Sequence, residues 1–154
     1  MLVETRAVDF IGYDPRGQAV LLAEANSRPG ASGKWASQLR RNILAHGVLP
    51  QAPFFLIATP DRIFLWNHDG LGGAETPPDC VVNAREVFAP YFEKLGRPAS
   101  QVSPEGFEFV VLWWLDDLSG SRLPMAREAP PMPWLTESGL LDSIRNARIE
   151  HQAP

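Results

Sequence analysis

Cysteine and long hydrophobic runs are both scarce in this sequence of 154 residues. The lone cysteine, Cys80, cannot form an internal disulfide bond and excludes a cysteine-based zinc site. The longest apolar runs, at 52–58 and 107–115, contain a proline and a glutamate respectively. Both are far shorter than the roughly 20 residues that span a bilayer. Because Glu4 also stands where a signal peptide carries basic residues, we expect a cytoplasmic protein that does not enter a membrane.

Acidic residues are missing from one stretch of a chain whose net charge is −4. No Asp or Glu lies between Glu24 and Asp61, a stretch that contains four cations: Arg28, Lys34, Arg40 and Arg41. Two interpretations are open. The cations could form the solvated face of a helix, or they could form an electropositive patch that binds phosphate.

The order of the expected elements indicates an α+β protein. Residues 6–14 and 19–26 have strand character and are joined by Asp14-Pro15-Arg16-Gly17, a sequence suited to a β-turn, so they predict an antiparallel hairpin. A helix is expected over 34–46, with Ser32 before it and Gly47 after it. Two apolar strands are expected at 54–59 and 62–66. Helices alone are expected after that, at 83–95, 104–118 and 134–150.

Two carboxylates, Asp9 and Glu24, fall on neighbouring strands of the expected hairpin. If Asp14 and Gly17 close the turn as an opposed pair, Asp9 lies opposite Leu22 and diagonal to Glu24 on one face of the sheet. Two carboxylates at that separation suit Mg²⁺ or Mn²⁺, which binds one or two protein carboxylates and completes its shell with water and phosphate. The pattern therefore predicts a divalent-metal site at Asp9 and Glu24.

The same residues resemble the motif of the PD-(D/E)XK nuclease-like superfamily. The resemblance covers about residues 6–66 and consists of Ala7-Val8-Asp9, the turn, Leu21-Leu22-Ala23-Glu24-Ala25-Asn26 and the helix that follows. It matches Asp9 to the family's Asp, Glu24 to its second acidic residue, Asn26 to its Lys, and Gln38, more weakly, to a residue of the following helix. It implies a restriction-endonuclease-like core, a mixed central sheet flanked by helices, that uses Mg²⁺ to hydrolyse DNA.

The resemblance divides the chain into a nuclease-like α/β core at 1–78 and a helical extension at 79–154 that packs on the same domain. Asp9, Glu24, Asn26 and Gln38 are then the candidate catalytic residues, and Lys34, Arg40 and Arg41 the candidate phosphate-binding residues.

The sequence departs from the family's pattern at three points. Val8 stands where the family often has Pro, few residues precede Asp9 to form the usual first helix, and Asn26 replaces the Lys. A neutral amide cannot supply the charge of that Lys, although Lys34 or Arg28 could supply it instead. The alternative is therefore a catalytically inactive nuclease-fold module that binds nucleic acid or a protein. An unrelated α+β interaction protein is a third hypothesis, favoured if Asp9 and Glu24 lie on opposite faces.

Apolar residues on many faces of the expected helix at 104–118 indicate that it is buried. Its Trp113-Trp114 pair could pack against the sheet or in the interface of a homodimer, with the first alternative favoured.

Overall fold

A six-stranded mixed sheet forms the centre of the structure, a computed structural model that describes residues 8–67, 75–120 and 132–152. The strand order across the sheet is β5-β4-β3-β2-β1-β6. The strands are β1 (Phe10–Tyr13), β2 (Ala19–Ala25), β3 (Phe54–Ala58), β4 (Arg62–Trp66), β5 (Cys80–Asn83) and β6 (Arg148–His151). The α+β class expected from the sequence is therefore confirmed.

The hairpin of β1 and β2 forms as expected, but its register differs from the prediction. Ile11, and not Asp9, lies opposite Leu22, because an irregularity between Gly12 and Tyr13 shifts the pairing. The loop is also longer than predicted, since the main-chain N–H of Asp14 donates to the carbonyl of Gln18 (2.8 Å). The total shift is two residues, so the paired residues of β1 keep their predicted faces. Asp9 lies in a bend just before these paired residues, outside this register.

Helix α1 (Gly33–His46) connects β2 to β3, which pair in parallel. The helix begins where predicted, because the Ser32 Oγ accepts a hydrogen bond from the Trp35 N–H (3.1 Å), and it ends at Gly47. A parallel connection puts the carboxyl ends of β2 and β3 and the start of α1 at one edge of the sheet. The antiparallel partner β1 begins at this edge and β6 ends there. We call it the carboxyl edge.

Four helices cover the face of the sheet opposite α1. They are α2 (Arg85–Leu95), α3 (Pro104–Ser119), α4 (Pro133–Glu137) and α5 (Leu140–Ile144). One apolar cluster lies between these helices and the sheet, and a second lies between the sheet and α1. The predicted burial of α3 is confirmed at Trp114, whose ring contacts Phe88 (centroids 5.6 Å apart), whereas Phe109 is exposed.

Two strands come from the segment that was expected to be helical. The prediction of one helix over 134–150 was wrong: two short helices form, and residues 148–151 pair with β1 as an edge strand. Gly139 and Asn146 both have positive φ (86° and 62°), which interrupts a helix at those points. Cys80–Asn83 forms the other edge strand beside β4. The half of the chain after residue 78 therefore completes the sheet at both edges.

No helix among the described residues is long and apolar enough to cross a bilayer.

Candidate functional site

At the carboxyl edge, the carboxylates of Asp9 and Glu24 each accept a hydrogen bond from the main chain of the other residue's segment. The main-chain N–H of Asp9 donates to Oε1 of Glu24 (3.0 Å), and the N–H of Ala25 donates to Oδ2 of Asp9 (2.8 Å). Asp9 is 3% exposed and Glu24 is half-buried. These reciprocal bonds orient both carboxylates and hold the two acids together at this edge.

Two further ionisable residues lie beside this pair, and sequence reasoning missed both. The Glu108 carboxyl on α3 makes a side-chain hydrogen bond with Asp9. Burial raises the pKa of Glu108, and the neighbouring charge of Asp9 raises it further, whereas His151 acts in the opposite direction. The Nε2 of His151 lies 3.2 Å from Oε1 of Glu108, and its ring lies beside Phe10 (5.0 Å). No local signal marks Glu108 or His151, because α3 and β6 bring them to Asp9 from far along the chain.

The donor chemistry of Asp9 and Glu24 fits a hard divalent cation. Carboxylate oxygens are the ligands that Mg²⁺ and Mn²⁺ prefer, and Mg²⁺ needs only one or two of them when water and phosphate complete the octahedron. Among the described residues, no group of three or more His, Cys, Asp or Glu side chains is arranged to hold a metal ion. An ion at this edge would therefore depend on Asp9 and Glu24, with its other ligands coming from solvent or substrate.

Asn26, which stands in the position of the family's Lys, is used to shape the loop after β2. Its main-chain N–H donates to the carbonyl of Ala58 (2.9 Å), and its side-chain Oδ1 accepts from the N–H of Arg28 (3.0 Å). This local contact is typical of Asn in turns. The Arg28 guanidinium lies over the ring of Trp35 (5.4 Å to the centroid), so the loop is tied to the first turn of α1.

The four predicted residues on α1 do not share one surface. Lys34 is exposed in the first turn and Gln38 is half-buried in the next. Arg41 is partly exposed and forms an ion pair with Glu75 (3.5 Å). Arg40, by contrast, is 2% exposed.

The buried guanidinium of Arg40 lies 5.6 Å from the ring centroid of Phe55 and 5.3 Å from that of Trp66. Burial lowers the pKa of Arg40, and the negative charge of Asp79 opposes this effect. A phosphate at the surface cannot reach this side chain, so Arg40 belongs to the packing between α1 and the sheet.

Comparison of the chain with family models, with curated proteins and with solved structures gave no significant match. The function is therefore inferred from the chemistry at the carboxyl edge.

Proposed function

We propose that this protein is a divalent-metal-dependent nuclease-like domain that hydrolyses phosphodiester bonds of DNA, with a restriction-endonuclease-like core. The observation that carries the proposal is the reciprocal bonding of Asp9 and Glu24. The order of elements in residues 6–66 also agrees with the resemblance: Asp9 immediately precedes β1, Glu24 lies on β2, and α1 follows β2. In this proposal Asp9 and Glu24 hold Mg²⁺ or Mn²⁺.

When bound, the ion supplies positive charge for the phosphoryl group and activates water. The chain's own residues have two tasks: to bind the ion and to position phosphate. The start of α1 suits the second task, because its first turn contains no acidic residue and a helix N-terminus attracts anions. Lys34 adds an exposed charge there. Gln38, one turn further along α1, is the candidate for a polar contact with the substrate.

A second candidate function is an inactive nuclease-fold module that binds nucleic acid, and Asn26 favours it. The Asn26 side chain accepts a hydrogen bond from the loop and supplies no positive charge near a phosphate. One well-placed group that stabilises charge in a transition state typically raises the rate of an enzymatic step about 10²- to 10³-fold. Loss of the Lys charge would therefore leave binding in place and reduce or abolish cleavage.

Calorimetric titration with Mn²⁺ tests the metal site. Glu24→Gln is the sharpest variant, because the amide keeps an oxygen that can accept from the Asp9 N–H while it removes the charge that binds the ion. Asp9→Asn is the equivalent change on β1. The matched control is Glu93→Gln, since Glu93 is an exposed carboxylate on α2. Thermal unfolding of each variant measures whether the fold is retained.

We expect Mn²⁺ to bind the natural protein and the Glu93 variant but not the Glu24 or Asp9 variant. Cleavage of supercoiled plasmid in Mg²⁺ then separates the two candidates: nicking that Glu24→Gln abolishes supports the nuclease, and binding of DNA without nicking supports the inactive module. Absence of Mn²⁺ binding up to millimolar concentration, in folded natural protein, would refute the metal site.

A further inference from the structure

Three arginines outside the residues of the nuclease motif line two adjoining grooves: Arg62 and Arg85 lie at the carboxyl edge, and Arg97 lies at the far end of α2. Arg62 begins β4, Arg85 begins α2, and Arg97 follows the end of α2; all three are exposed. Arg62 and Arg85 line one groove of about 370 Å³. Arg85 and Arg97 line an adjoining groove of about 400 Å³. We call these three residues the arginine cluster.

None of the three guanidinium groups forms an ion pair with a residue in the described part of the chain. Two acids, Asp61 and Glu93, also line the grooves. The Asp61 carboxylate is engaged in the fold, because its Oδ2 accepts from the Gly30 N–H and its Oδ1 from the Thr59 hydroxyl (both 3.2 Å). With three guanidinium groups against two carboxylates, the residues that line the grooves carry a net charge of about +1, in a chain whose net charge is −4.

The arginine cluster is continuous with the candidate metal site through the loop after β2. Nη1 of Arg62 donates to the carbonyl of Ala31 (3.2 Å), in the loop that begins at Asn26. In the strand order, β4 lies two positions from β2 and β5 lies three. Since neighbouring strands are about 4.8 Å apart, the cluster begins roughly 10–15 Å from Glu24. Phosphates along one strand of a duplex follow every 3.4 Å or so of the helix axis, so this span corresponds to about three or four nucleotides.

We infer that the arginine cluster binds the phosphate backbone of DNA on one side of the bond at the Asp9–Glu24 site. Guanidinium groups bind phosphate oxygens through pairs of N–H donors. From the proposed function this inference takes only that the ligand is DNA, and it requires neither a bound metal ion nor cleavage. Arg85 and Arg97 lie after residue 78, so the inference gives that half of the chain a part in holding the substrate.

The test is the affinity for a short labelled DNA duplex, measured by fluorescence anisotropy in EDTA over a series of salt concentrations. The variant is Arg62→Gln/Arg85→Gln/Arg97→Gln. The chain offers a matched control, Arg16→Gln/Arg145→Gln/Arg148→Gln, which makes the same change in net charge among three exposed arginines. Arg16 lies in the β1–β2 loop and Arg148 begins β6, both at the end of the sheet opposite the carboxyl edge, and Arg145 follows α5 just before β6.

We expect the arginine-cluster variant to bind at least about tenfold more weakly than the natural protein, and the control variant to bind nearly as well. Affinity falls as salt rises, and each lost phosphate contact makes the slope of log affinity against log salt less negative by about 0.9, so loss of all three makes it less negative by about 2.7. Equal weakening in both variants would mean that only net charge matters, and it would overturn the inference. So would absence of DNA binding by the natural protein.

Failure of the proposed function is recognisable separately. A protein that binds no Mn²⁺ and cleaves nothing, yet loses DNA affinity only in the arginine-cluster variant, refutes the metal site and supports this surface. Calorimetry of the arginine-cluster variant with Mn²⁺ completes the separation, because metal binding at Asp9 and Glu24 should be unchanged in it.

Discussion

The hydrogen bond between Tyr91 and Asp117 joins α2 to α3 inside the core, and its removal gives a measurable prediction. The Tyr91 hydroxyl donates to Oδ2 of Asp117 (2.8 Å), and both residues are buried. Tyr91→Phe removes the donor and leaves the ring, which packs against Trp113 (centroids 5.3 Å apart). The variant therefore leaves a buried carboxylate without this hydrogen bond and changes little else.

The expected loss of stability follows from that geometry. A hydrogen bond to a charged group contributes about 1.5–3 kcal/mol, and leaving a buried acceptor unsatisfied costs a similar amount. In a domain of this size, 1 kcal/mol corresponds to a change of about 2–4 °C in the melting temperature. Tyr91→Phe should therefore lower the free energy of unfolding by about 1.5–3 kcal/mol and the melting temperature by roughly 3–12 °C.

Urea denaturation and thermal unfolding measure these quantities, and the chain contains its own control. Tyr13 is the other of the two tyrosines; it is half-buried, and its ring lies under the guanidinium of Arg148 (5.3 Å). Tyr13→Phe should change the free energy of unfolding by less than about 0.5 kcal/mol. If Tyr91→Phe costs no more free energy of unfolding than Tyr13→Phe, the Tyr91 hydrogen bond does not stabilise the core, which would refute this prediction.

The same pair predicts the behaviour of the protein at alkaline pH. Burial raises the pKa of Tyr91 well above its ordinary value, and the hydrogen bond and the charge of Asp117 raise it further. The folded protein then holds this proton at a pH where the unfolded chain loses it, so stability falls as pH rises above about 10. In the Tyr13→Phe protein, where Tyr91 is the only tyrosine, tyrosinate absorbance should appear only as the protein unfolds. Its appearance in folded protein near pH 10 would contradict the assignment.

Two further predictions concern the carboxyl edge. Asn26→Lys restores the charge that the nuclease resemblance implies, and we expect it to increase the rate of plasmid nicking at least about tenfold. Loss of the contact with the Arg28 N–H should cost no more than about 1 kcal/mol of stability. An unchanged rate would show that this position does not limit cleavage. Glu108→Gln removes a carboxyl group whose pKa is raised above 4.5 in the folded protein. Because the folded state holds the Glu108 proton longer than the unfolded state does, natural protein loses stability relative to the variant as pH rises above 4.5. Urea denaturation measures the free energy of unfolding of both proteins. The variant should gain stability relative to the natural protein between about pH 4 and about pH 7. The same stability difference at both pH values would contradict the raised pKa of Glu108.

Local rules were sufficient to predict most elements up to the end of α3. The Ser32 cap before α1 and the Ser103-Pro104 start of α3 could be predicted from the sequence. In each, a serine side-chain oxygen accepts a hydrogen bond from an N–H of the first turn, which depends only on residues three positions apart. The same holds for the turn at Asp14–Gly17, where Asp14 Oδ1 accepts from the N–H groups of Arg16 and Gln18 (both 2.9 Å). The same hairpin brings Asp9 near Glu24, although its register differs from the prediction by two residues.

Tertiary structure alone decided the rest. The sequence pattern of residues 134–150 indicates a helix, but residues 148–151 form a strand because they pair with the side of β1 that does not pair with β2. Arg40 looked like a surface cation, and only the packing of α1 on the sheet put it against Phe55 and Trp66. Glu108 and His151 reached Asp9 only when α3 and β6 had packed. By itself the sequence determined the hairpin, the helix starts and the acidic pair, since these depend on neighbouring residues; the surroundings of that pair depend on contacts between distant segments, which no local pattern contains.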